Sequence, residues 1–194
     1  MDLVSHALVS LADTKVFLGA TSLSDDQIKL YINMATDMIE SATGRRFKST
    51  VYSNQVFDGN GEKEILLPQY PVTAFSSLEK NGAYDNSSQW EVVDTEDYWR
   101  EDAYGRIIGQ FRFSCGTGNY RASYTAGYTT IPYDLQFACM KIVQFFSFDF
   151  KASGIVSERL GDHQVTFAKG SEAGSFENDP VIKKVVDKYR RPNL

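Results

Sequence analysis

The stretch from Ser24 to Phe47, SDDQIKLYINMATDMIESATGRRF, decides the fold of the N-terminal part of the chain. Ser24 is a good N-cap, and Gln27 follows it at the spacing of a capping box. Apolar residues then recur three or four positions apart, as on one face of an amphipathic helix. These residues are Ile28, Tyr31, Ile32, Ala35, Met38, Ile39 and Ala42. Because Gly44 suits a helix C-terminus, the stretch predicts a long helix over about residues 24–43.

Three further segments predict helices. A short one at residues 11–18 stops at Gly19. Residues 132–149 are apolar on nearly every side, which is typical of a helix that is covered on most faces. Asp179-Pro180 begins a C-terminal helix over about residues 180–190, since proline is favoured in the first turn.

Between these helices, about residues 50–127 predict a β region of short strands separated by turns. Asp58-Gly59-Asn60-Gly61 is a strong turn signal, which predicts that residues 51–57 and 64–67 form a hairpin. Residues 91–102 hold six acids and one base, a composition typical of a solvated surface segment. Further strands are expected at residues 74–80, 90–93, 106–113 and 120–125.

Together these elements predict an α+β fold in a single domain spanning residues 1–194. Its helical core is expected to come from residues 1–48 and 129–194, with a β insertion at residues 49–128. A chain of 194 residues and 21.8 kDa is long enough to bury about 70% of its surface in one core.

Composition excludes several classes of protein. Hydrophobic residues make up 42% of the chain, which argues against bulk disorder. The net charge of −5 argues against a general nucleic-acid binder, which would carry a basic patch. Two cysteines cannot form a disulfide framework and predict reduced thiols. No targeting segment or membrane span is expected, because the longest apolar run is short and interrupted by Lys141.

Candidate catalytic groups are few. His6 is expected to lie in a frayed N-terminus, and His163 follows Asp162, a pair that could orient an imidazole. Neighbouring residues on a strand point to opposite faces, so this pair favours a surface histidine over a catalytic dyad. Cys139 is expected to pack as a small hydrophobe, whereas Cys115 is the better candidate for a reactive thiol. No catalytic residue, metal ligand or cofactor is predicted.

Two features favour an assembling protein. The apolar helix is rich in phenylalanine, and part of it is expected to meet a neighbouring subunit if helices of the same chain do not cover it. The candidates for this packing are Phe137, Phe145, Phe146 and Phe148. Residues 179–194 carry five bases against two acids. Complementarity to the helix dipole explains part of this bias, and docking on an acidic partner is the second explanation.

The order of sequence elements resembles the head–tail connector family of tailed bacteriophages, also called adaptor or head-completion proteins. The matching pieces bracket residues 10–168 in the following order. They are a short helix with a Leu-Gly stop, Ala-Thr-Gly-Arg-Arg-Phe at 42–47, Thr-Ala-Gly-Tyr at 125–128, Ile-Pro-x-Asp-Leu at 131–135 and Ser-Glu-Arg-Leu-Gly-Asp at 157–162. The long β insertion does not match the family piece by piece.

This resemblance implies a structural virion protein and not an enzyme. Such proteins form a ring, typically of twelve subunits, beneath the portal protein in the virion neck, where the ring extends the DNA channel. The implied partners are the portal, a stopper or tail-completion protein, and genomic DNA that passes through the lumen without specific binding. Synthesis is expected in the host cytoplasm. The candidate contacts with the portal or neighbours are Ser157, Glu158, Arg159, Leu160, Asp162, Tyr189, Arg190 and Arg191.

Two alternatives stay open at this point. One is a small hydrolase that uses Asp162 and His163. The other is a monomeric carbohydrate- or protein-binding module built on the β region.

Overall fold

A computed structural model describes residues 2–81, 89–152, 157–160, 163–166 and 179–191. Side chains are described up to residue 147 and again from residue 179. The chain forms two compact units. The helical unit comprises Met1–Arg45 and Ile131–Leu194, and the β unit comprises Arg46–Thr130. The mixture of helices and antiparallel sheets confirms the predicted α+β class.

The helical unit contains the four predicted helices, which are α1 (Leu11–Leu18), α2 (Asp25–Thr43), α3 (Tyr133–Ala152) and α4 (Pro180–Tyr189). Helix α2 begins with the expected capping box, in which Ser24 Oγ accepts from the Gln27 backbone and Gln27 Oε1 accepts from the Ser24 backbone. It ends at Gly44, whose φ of +67° is the left-handed conformation that glycine adopts at low cost. No helix of the described residues is long and apolar enough to cross a membrane.

The core of the helical unit lies among these helices. Helix α3 packs against the other three, and α4 also packs on α2. The fully buried side chains include Ile28, Ile32, Ile39, Leu135, Ile142 and Val143. These positions recur at helical spacing on α2, so that helix presents one apolar stripe to its neighbours, whereas α3 is apolar on most sides and packs against three helices.

The β unit contains two antiparallel sheets. Strands β1 (Thr50–Gly59), β3 (Val72–Asn81), β4 (Trp90–Val92) and β7 (Gly116–Ala126) form one sheet in the order β1-β7-β3-β4. Strands β2 (Glu64–Leu66), β5 (Tyr98–Glu101) and β6 (Arg106–Gly109) form the second in the order β2-β6-β5. Ile65, Leu78, Ile107 and Tyr124 belong to the apolar cluster that stabilises this unit. Two further strands, β8 (Ser157–Leu160) and β9 (His163–Thr166), pair with each other.

The prediction that residues 51–57 and 64–67 form a hairpin is wrong. Strand β1 pairs with β7, and β2 pairs with β6 of the other sheet. The end of β1 is tied to the start of β7, because Asp58 Oδ1 accepts from the Gly118 backbone and Asn119 Oδ1 accepts from the Gly59 backbone, each at 2.7 Å. The chain does leave β1 at this point, but the hydrogen-bond partners of Asp58 and Gly59 lie about sixty residues further along the sequence.

The acidic segment at residues 91–102 contains β5, a strand that the sequence analysis did not predict. Tyr98 faces Phe75, with ring centroids 6.3 Å apart, and Arg100 lies 4.4 Å above the Phe75 ring. The aromatic contact of Tyr98 and the cation–π contact of Arg100 therefore pack this charged strand on Phe75. The predicted strand at 106–113 is shorter, since β6 ends at Gly109.

Candidate functional site

Helix α4 leads to the basic residues that are expected to contact a partner. Asp179 is the N-cap of this helix. The Asp179 carboxylate accepts backbone hydrogen bonds from Val181 and Ile182 at 2.8 and 3.2 Å. The Nζ of Lys141 on α3 lies 2.6 Å from the same carboxylate. The hydrogen bond from Lys141, together with the two backbone bonds, holds the pKa of Asp179 below its ordinary value. The first turn of α4 is therefore both capped and anchored to α3.

The end of α4 is held just as closely. Tyr189 is 7% exposed, and its hydroxyl donates to the two carboxylate oxygens of Asp134 at 2.9 and 3.1 Å. Arg45 Nη1 donates to the Tyr189 carbonyl oxygen at 3.2 Å, and the Arg191 backbone N–H donates to the last carbonyl of α2 at 2.9 Å. Tyr189, a predicted partner contact, thus has its side chain inside the unit. Arg190 and Arg191, which follow Tyr189, are both exposed.

Burial opposes the ionisation of Asp134, but hydrogen bonds from Lys188, Tyr189 and the Leu135 backbone outweigh it. The net result is a pKa of Asp134 below its ordinary value. The carboxylate therefore acts as a charged acceptor at neutral pH and joins the start of α3 to the end of α4.

The basic residues of α4 and of the two positions that follow it fall into two groups. Lys188 Nζ lies 2.6 Å from Asp134, and this hydrogen bond raises the pKa of Lys188. Arg190, the residue after the helix, lies 3.5 Å from Asp187 of α4. Among the bases of residues 179–191, three are exposed and have no carboxylate of the described residues at ion-pair distance. They are Lys183, Lys184 and Arg191.

A groove of about 610 Å³ lies beside α4. Its apolar lining comes from α2, α3 and α4, and Lys183, Asp187 and Arg190 lie along it. Met38 and Ala42, two members of the stripe predicted for α2, also line this groove. Met38 is half-buried and Ala42 is exposed. The apolar stripe of α2 is thus wider than the surface that α4 covers.

Helix α3 also presents aromatic side chains to solvent. Tyr133 is 83% exposed and Phe137 is 42% exposed. Being four residues apart, they lie on one face of the helix. The Phe137 ring makes an edge contact with Phe17 of α1, with centroids 5.9 Å apart. The apolar helix therefore has an uncovered aromatic face at its N-terminal end.

The remaining candidate packing residues are less accessible. Phe145 and Phe146 are half-buried, and the Phe146 ring lies 5.8 Å from that of Tyr31 on α2. The Phe148 side chain lies outside the described residues. Among the four predicted phenylalanines, Phe137 is thus the most exposed whose side chain is described.

The segment with the candidate contacts Ser157 to Leu160 forms the strand β8, which pairs with β9 so that Leu160 faces His163 in the backbone register. The side chains of these strands lie outside the described residues, as does Asp162. The suggested pair of Asp162 and His163 is therefore not placed as a site.

The two cysteines differ in environment. Burial raises the pKa of the Cys139 thiol to about 12, although a hydrogen bond with Thr36 acts in the opposite direction. This agrees with its interpretation as a small hydrophobe. Cys115 is exposed.

The junction of Asp134 with Lys188 and Tyr189 was not found by sequence reasoning. These residues lie 54 and 55 positions apart. No local spacing rule links an acid in the first turn of one helix to the last turn of another. The signal that could have drawn attention to Asp134 is its place at a helix N-terminus, where acids are favoured.

A family described as head completion protein matches residues 7–191. A comparison with curated proteins finds no match.

Solved structures with a similar fold come from gene transfer agent particles. A chain from the neck of an empty particle, computed with C6 symmetry, has a TM-score of 0.56 and 16% identity. The alignment covers 100% of this chain and 95% of that one. A chain from the neck of a native particle, computed with C12 symmetry, has a TM-score of 0.57 and 17% identity, with coverage of 100% and 94%. A chain from the virion of a native particle has a TM-score of 0.55 and 14% identity, with coverage of 100% and 95%.

Proposed function

The chain belongs to the head completion protein family, and on this premise we propose that it is a structural subunit of the virion neck, where it joins the capsid to the tail. The observation that carries the proposal is the family match over residues 7–191. The likeness of the fold to neck chains of gene transfer agent particles supports it. Head completion is structural work, so no catalytic step is part of the proposal.

The subunit works in a ring, as the C6 and C12 symmetries of those neck structures suggest. Twelve copies is the number expected for this family. The aromatic face of Tyr133 and Phe137 supports the ring, because exposed aromatic side chains are enriched at protein interfaces. A specific contact between neighbours should bury at least about 1,000 Å².

The ring sits beneath the portal and continues its DNA channel towards a stopper or tail-completion protein. A net charge of −5 supports this role. DNA binds proteins chiefly through basic residues that displace its counterions. An acidic ring would therefore let the genome slide through without holding it.

The C-terminal end of α4 is the part that docks on the portal or on a neighbour. Arg190 and Arg191 are exposed, and the contacts of Tyr189 fix the position from which they project. The groove beside α4 offers apolar surface next to Arg190. The segment of Ser157, Glu158, Arg159, Leu160 and Asp162 is the second candidate contact.

The test is electron microscopy of the purified chain mixed with portal rings from the particle that carries it. We expect additional ring density at one end of the portal. The double charge reversal Arg190→Glu and Arg191→Glu should remove it. Lys63→Glu with Arg112→Glu, two exposed residues of the β unit, makes the same change in net charge and is the matched control.

A second pair of variants tests the contact between neighbours. Tyr133→Ser with Phe137→Ser should prevent ring closure, whereas Val51→Ser with Val92→Ser, both 70% exposed in the β unit, should not. Circular dichroism checks that each variant is folded. Ring density that persists in both charge-reversed and aromatic variants would contradict the assigned surfaces, and absence of any complex with wild-type chain would contradict the neck function itself.

A further inference from the structure

Three potential metal ligands meet where the N-terminal segment crosses the last two turns of α2. His6 Nε2 lies 3.4 Å from Asp37 Oδ1 and 3.5 Å from Glu40 Oε2. The three donor atoms all lie within 4.8 Å of one another. Asp37 and Glu40 are three residues apart and so occupy one face of the helix. An imidazole from one segment therefore faces two carboxylates from another.

The segment that carries His6 is fixed, contrary to the expectation of a frayed N-terminus. The backbone N–H of Val4 donates to Asn33 Oδ1 at 3.0 Å, and that of Leu8 donates to Thr36 Oγ1 at 3.3 Å. Asn33 and Thr36 are buried on α2, so His6 is held from both sides. The helix and the segment thus position the imidazole before any ligand arrives.

The two distances from the imidazole match the spacing of donors around a tetrahedral ion. Zinc binds histidine nitrogen and carboxylate oxygen at about 2.0 to 2.2 Å, and tetrahedral angles then place neighbouring donors about 3.3 to 3.5 Å apart. The distances from His6 to Asp37 and Glu40 fall in this range. Both are longer than the roughly 2.7 to 2.9 Å of a charge-assisted hydrogen bond. One N–H on Nε2 also cannot donate well to two carboxylates at once.

The charges favour the same conclusion. Glu40 is only 9% exposed, so water screens its attraction to a neighbouring cation less than at the surface. Glu40 also lies in the last turn of α2, where the helix dipole favours positive charge. Calcium and magnesium prefer six or more oxygen ligands, whereas an imidazole with two carboxylates suits zinc.

We propose that His6, Asp37 and Glu40 bind a divalent ion of the zinc type, with the fourth position open to water. This site goes beyond the structural role in the neck. Residue spacing in the sequence could not indicate it, because His6 is separated from its partners by about thirty residues of chain. Binding would fasten the N-terminal segment to α2.

The test uses the untagged full-length chain after dialysis against a chelator. Calorimetric titration with zinc chloride should show one equivalent bound, and zinc should raise the temperature at which the helical unit melts. Cobalt in place of zinc should give the visible absorption of a tetrahedral site. His6→Ala and Asp37→Asn should each weaken zinc affinity at least about tenfold. Loss of a residue that only hydrogen-bonds a metal ligand already costs about that much, and loss of a ligand itself costs more.

Matched controls remove the second histidine and the exposed cysteine, which could hold zinc elsewhere. His163→Ala and Cys115→Ser should bind zinc as the wild type does. Asp37 is 68% exposed, so we expect Asp37→Asn to stay folded. Its zinc affinity therefore tests the site even if His6→Ala does not fold. Absence of zinc binding, or binding that survives Asp37→Asn, overturns the site. Neither outcome would contradict the proposed neck function, which is tested separately by the complex with the portal.

Discussion

Asp134 makes two contacts with the end of helix α4, one with the hydroxyl of a buried side chain and one with an exposed ammonium group, and a double-mutant cycle can separate the two. Asp134 accepts from Tyr189, which is 7% exposed, and from Lys188, whose side chain is 60% exposed. A buried hydrogen bond to a charged group is worth about 1.5 to 3 kcal/mol. An exposed ion pair is worth only about 0.2 to 1 kcal/mol.

The perturbations are Tyr189→Phe, Lys188→Gln and Asp134→Ala, with each double variant that includes Asp134→Ala. We expect a coupling free energy of about 1.5 kcal/mol between Tyr189 and Asp134, and less than about 0.5 kcal/mol between Lys188 and Asp134. Asp134→Ala also removes a charge from the N-terminus of α3. This effect is present in both the single and the double variant, so it cancels from the coupling free energy.

The assay is urea unfolding at neutral pH, followed by far-ultraviolet circular dichroism. Both tryptophans, Trp90 and Trp99, lie in the β unit, so their fluorescence is the internal control and should not change. A coupling with Tyr189 below about 0.5 kcal/mol, or a larger coupling with Lys188, would refute the reasoning. In that case the position of Arg190 would depend on surface charge and should vary with salt.

The other predictions concern the core, one glycine and pH. Leu78→Ala should lower the free energy of unfolding of the β unit by about 2 to 5 kcal/mol in tryptophan fluorescence, because Leu78 is fully buried. Gly127→Ala should cost more than about 2 kcal/mol by the same measurement, since Gly127 has a φ of +110° and a Cβ there would lie 2.7 Å from the Lys48 carbonyl oxygen; an unchanged midpoint would contradict this. The helical unit should lose stability below about pH 4, because Asp134 and Asp179 have pKa values below the ordinary 3.8, so their contribution is complete above that value and is lost as the pH falls through the folded pKa. Circular dichroism should show a flatter pH profile in Asp134→Asn and Asp179→Asn.

The helices could be predicted because their signals are local. A cap, a periodic apolar stripe and a terminal glycine all lie within one segment, as Ser24, Gln27 and Gly44 illustrate. The family resemblance, confirmed by the match over residues 7–191, also rested on short segments in a fixed order.

Strand pairing could not be predicted, because the partner of a strand is chosen by contacts that are distant in sequence. The turn after Asp58 suggested a hairpin, but the hydrogen bonds of Asp58 and Gly59 go to Gly118 and Asn119. Strand β5 was missed for a related reason. Its acidic composition concealed Tyr98, whose ring packs on Phe75 of a strand from the other sheet.

Helix α3 shows which features of the candidate site could be predicted from the sequence and which could not. Its composition required cover on most sides, and the structure supplies that cover for Leu135, Cys139 and Ile142. It leaves Tyr133 and Phe137 open to solvent on one face. Periodicity cannot tell these positions apart, because all of them are apolar or aromatic. Only the positions of the other helices decide which side of α3 is left uncovered, and that side is the one that we propose for the contact with a neighbouring subunit.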